Sequence, residues 1–264
     1  MSRYSTTFER LAAKREGAFG AFLMLGDPNI ETSAKLLDAV VAGGADMVEV
    51  GIPFSDPVAD GPVIQAAAKR ALDAGVRVAD CFALIARFRS GHPDVPVGIL
   101  TYANLVMAPG RETFFRRVSE AGADSMLVAD LPAFEAEPWT TGMRAADLDP
   151  VLIAARNTPA DTLRTIAWLG SGYTYCVTRA GITGVHGEPS FDRELVRRLE
   201  QANAPPPVFG FGISTAEHVR AALGAGAAGV ISGSAIVSAA AEGRDVGALV
   251  ATLKNATRND SAPR

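Results

Sequence analysis

Short apolar segments recur along the chain, and helix-like stretches separate them. The segments are rich in Val, Ile, Leu or Phe without strict polar alternation, which is typical of strands buried on both faces. The sequence predicts eight such strands: Gly20–Leu25, Asp46–Gly51, Val97–Tyr102, Asp124–Ala129, Pro150–Ala154, Tyr173–Thr178, Val208–Gly212 and Gly229–Ser232. Eight strands alternating with helices over about 250 residues indicate a single (β/α)₈ TIM barrel.

A doubly wound sheet is the rival architecture, but its first strand-to-helix turn should carry a GxGxxG fingerprint. The corresponding turn here is Gly26-Asp27-Pro28, which is not one. We therefore expect one α/β domain over residues 1–264, with an N-terminal helix and a polar tail from about 255 to 264.

Glycine-containing repeats mark the junctions between helices and strands. Ala42–Asp46, Ala121–Asp124 and Gly224–Gly229 each close a helix and open a strand, and glycine there supplies a left-handed cap. The second unit is about twice as long as the others, with room for helices at Val63–Leu72 and Val78–Phe88. Since barrel active sites lie in the loops after the strands, this expanded unit is where function is expected.

Composition narrows the class of protein. The formal net charge is −4, so nothing draws the chain to nucleic acid, and 48% hydrophobic residues exclude a disordered chain. No apolar run approaches a bilayer span, and the N-terminus lacks the apolar core of a secretory signal. The two cysteines, Cys81 and Cys176, show no disulfide or zinc-finger pattern. We expect a cytoplasmic protein.

Glu49 is a carboxylate inside an otherwise apolar strand, Met47-Val48-Glu49-Val50-Gly51. Strand alternation places Met47, Glu49 and Gly51 on one face and Val48 and Val50 on the other. A carboxylate pointing into the barrel near the end of a strand would be desolvated and suited to proton transfer. The alternative is a structural glutamate paired with an Arg or Lys.

Asp60 lies in the loop that follows, within Asp60-Gly61-Pro62. Turn chemistry alone would explain an aspartate there. The functional alternative is that Asp60 overhangs the barrel mouth and accepts a hydrogen bond from a substrate.

Three glycine-rich turns follow the last three predicted strands: Gly181–Gly184, Gly210–Ser214 and Ser232–Ser234. Glycines let backbone N–H groups approach an anion, and loops after strands 7 and 8 are the usual phosphate site of barrels. The alternative is that these glycines only turn corners. Ser214–Glu217 also has the pattern of a helix capping box. The three histidines have no metal-ligand spacing, so we expect no metal.

Several of these motifs together resemble one family, the tryptophan synthase alpha chains. The resemblance runs from about Phe8 to about Leu253, and its most specific part is the run Glu49–Pro62. The other motifs are Gly26-Asp27-Pro28, Tyr102-Ala103-Asn104, Gly210–Ser214 and Ser232–Val237.

The resemblance implies retro-aldol cleavage of indole-3-glycerol phosphate to indole and glyceraldehyde 3-phosphate, without cofactor or metal. Glu49 would be the acid–base group, and Asp60 would hold the indole N–H and stabilise positive charge on that nitrogen. Arg179 and Thr183 would belong to a closing loop, with Thr183 meeting Asp60.

The same resemblance implies the substrate-binding residues. An apolar slot for the ring would be lined by Phe22, Leu100, Tyr102, Ala129, Ile153 and Tyr175, with Phe211 also contacting substrate. The phosphate would be bound by the amides of Gly184, Gly212, Gly233 and Ser234.

A pyridoxal-phosphate-dependent beta subunit is the implied partner, in an alpha-beta-beta-alpha complex that passes indole on to L-tryptophan. Asp56, Pro57, Asn104 and the region of Met107 would lie at the contact. Two alternatives are a free-standing lyase that releases indole and a non-catalytic barrel that regulates a partner. Retention of both carboxylates and the three glycine turns argues against the second alternative.

Two positions depart from the family pattern. Arg156 stands after the fifth predicted strand, where the family usually carries a proline and threonines. This arginine could steer a phosphate, face solvent or alter the partner surface. Met24 stands where the family often has a small polar residue.

Overall fold

The computed structural model describes residues 2–177 and 190–258 and contains one parallel sheet. Its strands are β1 Ala18–Met24, β2 Met47–Gly51, β3 Val97–Thr101, β4 Ser125–Val128, β5 Asp149–Pro150, β6 Leu152–Ala155, β7 Thr174–Val177, β8 Pro207–Phe209 and β9 Gly229–Ser232. They are ordered β5-β4-β3-β2-β1-β9-β8-β7-β6. The predicted TIM barrel is confirmed.

The fifth predicted strand is divided into β5 and β6. Pro150 lacks an N–H, and the next residue, Val151, donates to the carbonyl of Met126 in β4 at 3.0 Å. β6 then pairs with β7. The two pieces therefore occupy one position and close the ring between β4 and β7, so the prediction of a continuous strand over Pro150–Ala154 is wrong in this detail.

The helices surround the strands. They are α1 Arg3–Ala13, α2 Ile30–Ala42, α3 Pro62–Asp73, α4 Val78–Gly91, α5 Ala103–Met107, α6 Arg111–Glu120, α7 Glu137–Ala145, α8 Ala160–Leu169, α9 Arg193–Gln201, α10 Ala216–Gly224, α11 Ser234–Ala241 and α12 Val246–Asn255, with a 3₁₀ turn at Ala133–Glu135. The N-terminal helix and both helices of the expanded second unit are as predicted. Within the described ranges, no helix has the length and apolarity needed to cross a bilayer.

Side chains of successive strand residues face two separate apolar layers. In β2, Met47 belongs to the cluster inside the barrel, whereas Val48 and Val50 pack in the layer between sheet and helices. Every residue of β2 is buried, including Glu49. The predicted alternation is confirmed, and it places Glu49 in the barrel interior.

The glycine repeats form the helix-to-strand junctions that the sequence predicts. Gly44, Gly122 and Gly226 have φ values of 97°, 89° and 101°, in the left-handed region that disfavours other residues. The capping prediction at Ser214 is wrong by one residue: Thr215 is the N-cap of α10 and accepts from the N–H of His218 at 3.3 Å.

A cluster of ion pairs joins α12 to the end of the barrel at which β1 and β2 begin. Lys254, whose side chain is 11% exposed, lies 2.8 Å from Asp46 and 3.1 Å from Glu16. Asp46 also accepts from the N–H of Phe19 in β1 at 3.0 Å. The cluster therefore joins α12, β1 and the approach to β2.

Replacing Lys254 by Met should lower the free energy of unfolding by about 2 kcal/mol, because Asp46 and Glu16 lose their nearest cation and keep only longer contacts, to Arg10 at 3.3 Å and to Arg258 at 3.7 Å. Urea denaturation measures the loss. Lys69→Met is the control, since Lys69 is 74% exposed beside Asp73 and such pairs contribute less than about 1 kcal/mol. Equal losses in the two variants would contradict the interpretation.

Candidate active site

Glu49 is the buried acid of the barrel. Its side chain enters from β2, and the residue is 2% exposed. The hydroxyl of Tyr173 donates to Oε1 at 2.8 Å, whereas Oε2 has no hydrogen-bond partner among the described residues. Burial raises the pKa of Glu49 to about 7, opposed by the Tyr173 hydrogen bond and assisted by the negative charge of Asp60. A carboxyl with this pKa can give up or take a proton near neutral pH.

Asp60 is the second carboxyl of the site, and it comes from the loop between β2 and α3. Its side chain is buried, and burial raises its pKa to about 6 while a hydrogen bond from Tyr102 lowers it. Gln65 in α3 donates to the backbone carbonyl of Asp60 at 2.7 Å. The loop therefore places a second, buried carboxyl whose negative charge acts on Glu49, beyond what turn chemistry requires.

Tyr102, the residue directly after β3, holds the Asp60 loop at several points. Its hydroxyl accepts from the N–H of Ala59 at 3.3 Å and hydrogen-bonds the carboxyl of Asp60. Its ring stacks on Phe54 with centroids 5.4 Å apart. Tyr102 thus has a positioning contact that the sequence did not predict, in addition to its predicted place in the slot.

Apolar side chains form walls around the acid. Phe22 in β1 is the registered neighbour of Glu49, and Tyr175 in β7 packs edge-on against Phe211 with centroids 5.9 Å apart. The remaining predicted slot residues pack against the same interior cluster and are partly exposed, namely Leu100, Ala129 and Ile153. The structure brings these predicted slot residues to one end of the barrel. Met24 is buried beside them.

Gly210 is required by the position of Tyr175. A Cβ built on Gly210 would lie 2.0 Å from Cζ of the Tyr175 ring. The Tyr175 hydroxyl donates to the Gly210 carbonyl at 3.2 Å. This glycine therefore leaves room for the ring of Tyr175, a predicted slot residue, which is a different role from turning a corner of the chain.

The N-terminus of α11 and the turn after β8 supply backbone amides. Gly233 precedes α11 and its carbonyl accepts from the N–H groups of Ile236 and Val237, which leaves the first N–H groups of the helix without an intrahelical acceptor. Gly212 has a φ of 77° and is exposed. Such amides can bind an anion without a cationic side chain.

Part of the predicted site lies outside the described residues, namely Arg179, Thr183 and Gly184 with the rest of the turn Gly181–Gly184. Arg156 is described: its side chain is 77% exposed and its Nε lies 3.3 Å from Asp192. Of the three roles open to Arg156, facing solvent is the one that this position matches. Within the described ranges, no three His, Cys, Asp or Glu residues are grouped to hold a metal.

Tyr173 is the site residue that sequence reasoning missed. It lies two positions before Tyr175, so the same strand alternation turns both side chains into the barrel. Its ring packs against Tyr4 of α1 with centroids 5.3 Å apart, and the Tyr4 hydroxyl hydrogen-bonds Ser125 at 2.9 Å. The period of two could have identified the residue, but not its partner 124 positions away.

Comparison with known proteins gives consistent similarities. A family model described as tryptophan synthase alpha chain matches residues 8–261. The tryptophan synthase alpha chain of Shewanella amazonensis is 51% identical over 90% of this chain and 90% of its own length. The solved subunit alpha from Legionella pneumophila is 31% identical with a TM-score of 0.88, covering 98% of this chain and 99% of that one. A chain of Mycobacterium tuberculosis tryptophan synthase is 30% identical with a TM-score of 0.89, covering 97% and 98%.

Replacing Tyr173 by Phe should raise the pKa of Glu49 further above 7, by roughly one unit, because the ionised form loses its hydrogen-bond donor. The titration of ¹³C-labelled glutamate carboxyls followed by NMR measures this. Tyr4→Phe is the control: the Tyr4 hydroxyl bonds Ser125, and its removal should leave the Glu49 titration nearly unchanged. An unchanged pKa in Tyr173→Phe would show that this contact does not tune the acid.

Proposed function

The chain belongs to the tryptophan synthase alpha chain family, and on that premise we propose that Glu49 and Asp60 carry out its reaction. The chain is the alpha subunit, a carbon–carbon lyase that cleaves indole-3-glycerol phosphate to indole and glyceraldehyde 3-phosphate in tryptophan biosynthesis. The observation that carries the residue assignment is the buried carboxyl of Glu49, with one oxygen on Tyr173 and the other without a partner among the described residues.

The proposed first step is transfer of a proton from Glu49 to the indole carbon that bears the glycerol chain. Addition of this proton converts the ring into an iminium ion, with positive charge on nitrogen. Because the pKa of Glu49 is raised to about 7, a substantial fraction of the carboxyl holds a proton near neutral pH. A carboxyl at its ordinary pKa would rarely hold one there.

Asp60 stabilises the charge that this step creates. Its carboxylate accepts the indole N–H, and its negative charge favours the positive nitrogen in a site sheltered from water. The pKa of Asp60 is about 6, lower than that of Glu49. Asp60 can therefore be ionised at a pH at which Glu49 is still protonated.

Bond cleavage follows from the iminium ion. The side-chain hydroxyl next to the ring loses its proton to the Glu49 carboxylate, and a carbonyl forms as the carbon–carbon bond breaks. The bonding electrons return to the ring and neutralise the nitrogen, which yields indole and an aldehyde. Glu49 ends the cycle protonated, and no water, metal or electron acceptor is consumed.

The two ends of the substrate have separate proposed sites. The ring lies between the apolar walls at Phe22 and Tyr175, and the phosphate meets the amides of Gly212, Gly233 and Ser234. Support comes from the N–H groups at the start of α11 that have no intrahelical acceptor and from the left-handed turn at Gly212. The sequence adds two residues to this proposal: the amide of Gly184 as a further phosphate donor, and Thr183 in the closing loop.

The alpha subunit passes indole to a beta subunit, in the alpha-beta-beta-alpha complex of this enzyme. We propose Asp56, Pro57, Asn104 and Met107 as contacts. Two exposed apolar side chains support this surface: Val58, in the loop between β2 and α3, is 71% exposed, and Met107, at the end of α5, is 54% exposed. We also propose a cytoplasmic location, since the two cysteines are unpaired, as is usual in reducing compartments.

Glu49→Gln should abolish indole release, a loss of roughly 10²- to 10⁴-fold, because the amide cannot supply the proton. The change is nearly isosteric, so the melting temperature should not fall. Indole formed from indole-3-glycerol phosphate is measured with and without a beta subunit. Glu120→Gln, on the exposed face of α6, is the control and should behave as wild type. Near-normal activity of Glu49→Gln would make Glu49 a structural residue.

Asp60→Asn should reduce turnover less, by roughly 10- to 100-fold, because the amide oxygen still accepts from the indole N–H but carries no charge. Steady-state kinetics should place most of the loss in kcat, since the charge on nitrogen exists only after proton transfer. The control is Asp73→Asn in the exposed part of α3. A loss confined to KM would contradict this role.

A further inference from the structure

A buried hydroxyl joins the two loops that carry the proposed phosphate amides. Ser232, the last residue of β9, is fully buried, and its Oγ donates to the carbonyl of Ile213 at 2.7 Å. Ile213 directly follows Gly212, and Ser232 directly precedes Gly233. One hydrogen bond therefore spans the residues next to the two groups of amides.

The backbone does not make this connection by itself. The ladder between β8 and β9 ends with the pair Phe209 and Val230. β9 continues for two residues along β1, where Ala21 is the partner of Ser232. The chain after β8 instead makes one more bond to β7, from the N–H of Gly210 to the carbonyl of Cys176 at 3.1 Å, and then turns at Gly212, with its φ of 77°. The loop of residues 210–214, here called the β8 loop, therefore diverges from β9 before the proposed phosphate site is reached.

Other side chains hold the two ends of the β8 loop. The hydroxyl of Tyr175 donates to the carbonyl of Gly210 at 3.2 Å. At the far end, the N–H of Ser214 donates to Nδ1 of His218 at 3.4 Å. The contact from Ser232 lies between these two and is both shorter and more deeply buried, so it fixes the part of the loop next to Gly212.

We propose that Ser232 is a positioning residue for the substrate phosphate, an inference that rests on the phosphate site of the proposed function. Its hydroxyl sets the separation between the amide of Gly212 and the amides of Gly233 and Ser234. An anion that bridges the two loops then meets donors already in place, and it does not have to order the β8 loop on binding. Ser232 itself does not touch the phosphate.

The test uses Ser232→Ala and two ligands that each occupy one half of the site. Glycerol 3-phosphate probes the amides and indole probes the slot, with binding to the whole chain measured by calorimetry. Glycerol 3-phosphate should bind about tenfold more weakly to the variant, while the Kd for indole stays within about twofold of wild type. For the full substrate, KM should rise by about the same factor with little change in kcat.

Thr174→Val is the matched control. Thr174 is also a buried strand hydroxyl that donates to a backbone carbonyl, that of Pro205 at 2.9 Å, but at the other end of its strand. The melting temperature of this variant should fall about as much as that of Ser232→Ala. Its Kd values for both ligands should equal those of the wild type. If Ser232→Ala does not fold, Ser232→Cys keeps a weak donor of similar size, and its Kd for glycerol 3-phosphate should increase by a smaller factor.

Three results would overturn the inference. Ser232→Ala, or Ser232→Cys in its place, could bind glycerol 3-phosphate as tightly as wild type. The variant could instead bind indole and glycerol 3-phosphate more weakly by the same factor, which would indicate a general structural role. A wild-type chain that bound indole but not glycerol 3-phosphate would overturn the phosphate site of the proposed function, and this inference with it.

Discussion

The proposed function depends on keeping the carboxyl of Glu49 out of water. Burial raises its pKa to about 7 from an ordinary 4.5, and Tyr173 alone among the described residues hydrogen-bonds it. This arrangement costs stability. Between pH 4.5 and 7 the unfolded chain releases a proton that the folded chain keeps, so the free energy of unfolding falls as the pH rises through that range. Above it the cost is about 3 kcal/mol, which the remaining core must offset.

The barrel supplies what this acid requires. Parallel strands place Phe22, Glu49 and Tyr175 on one interior surface at fixed spacing. The loops at the strand ends add polar groups that the apolar interior lacks. These are a second carboxyl, at Asp60, and the backbone amides around Gly233. A side chain next to a strand end holds one of these loops: Tyr102, directly after β3, fixes the Asp60 loop.

Much of this could be predicted from the sequence wherever the signal is local. Apolar runs located the strands, alternation along β2 turned Glu49 inward, and glycine marked the helix ends. The predictions failed where tertiary context decides. Asp149 and Val151 both donate on the β4 side, so the N–H that Pro150 lacks would have faced the β7 side, where pairing starts only at Leu152. The hydroxyl of Tyr173 meets Glu49 from 124 positions away. The roles of Tyr102 toward Asp60 were likewise invisible, since both partners come together only when the barrel closes.

The central claim, that a buried carboxylic acid protonates the indole ring carbon, has a direct test that needs neither the phosphate nor the beta subunit. Indole alone is incubated with the purified chain in D₂O, and the loss of the proton signal at ring carbon 3 is followed by NMR. The account predicts exchange that is accelerated by the wild-type chain and reduced to the enzyme-free rate in Glu49→Gln. Equal exchange in the two chains would contradict it.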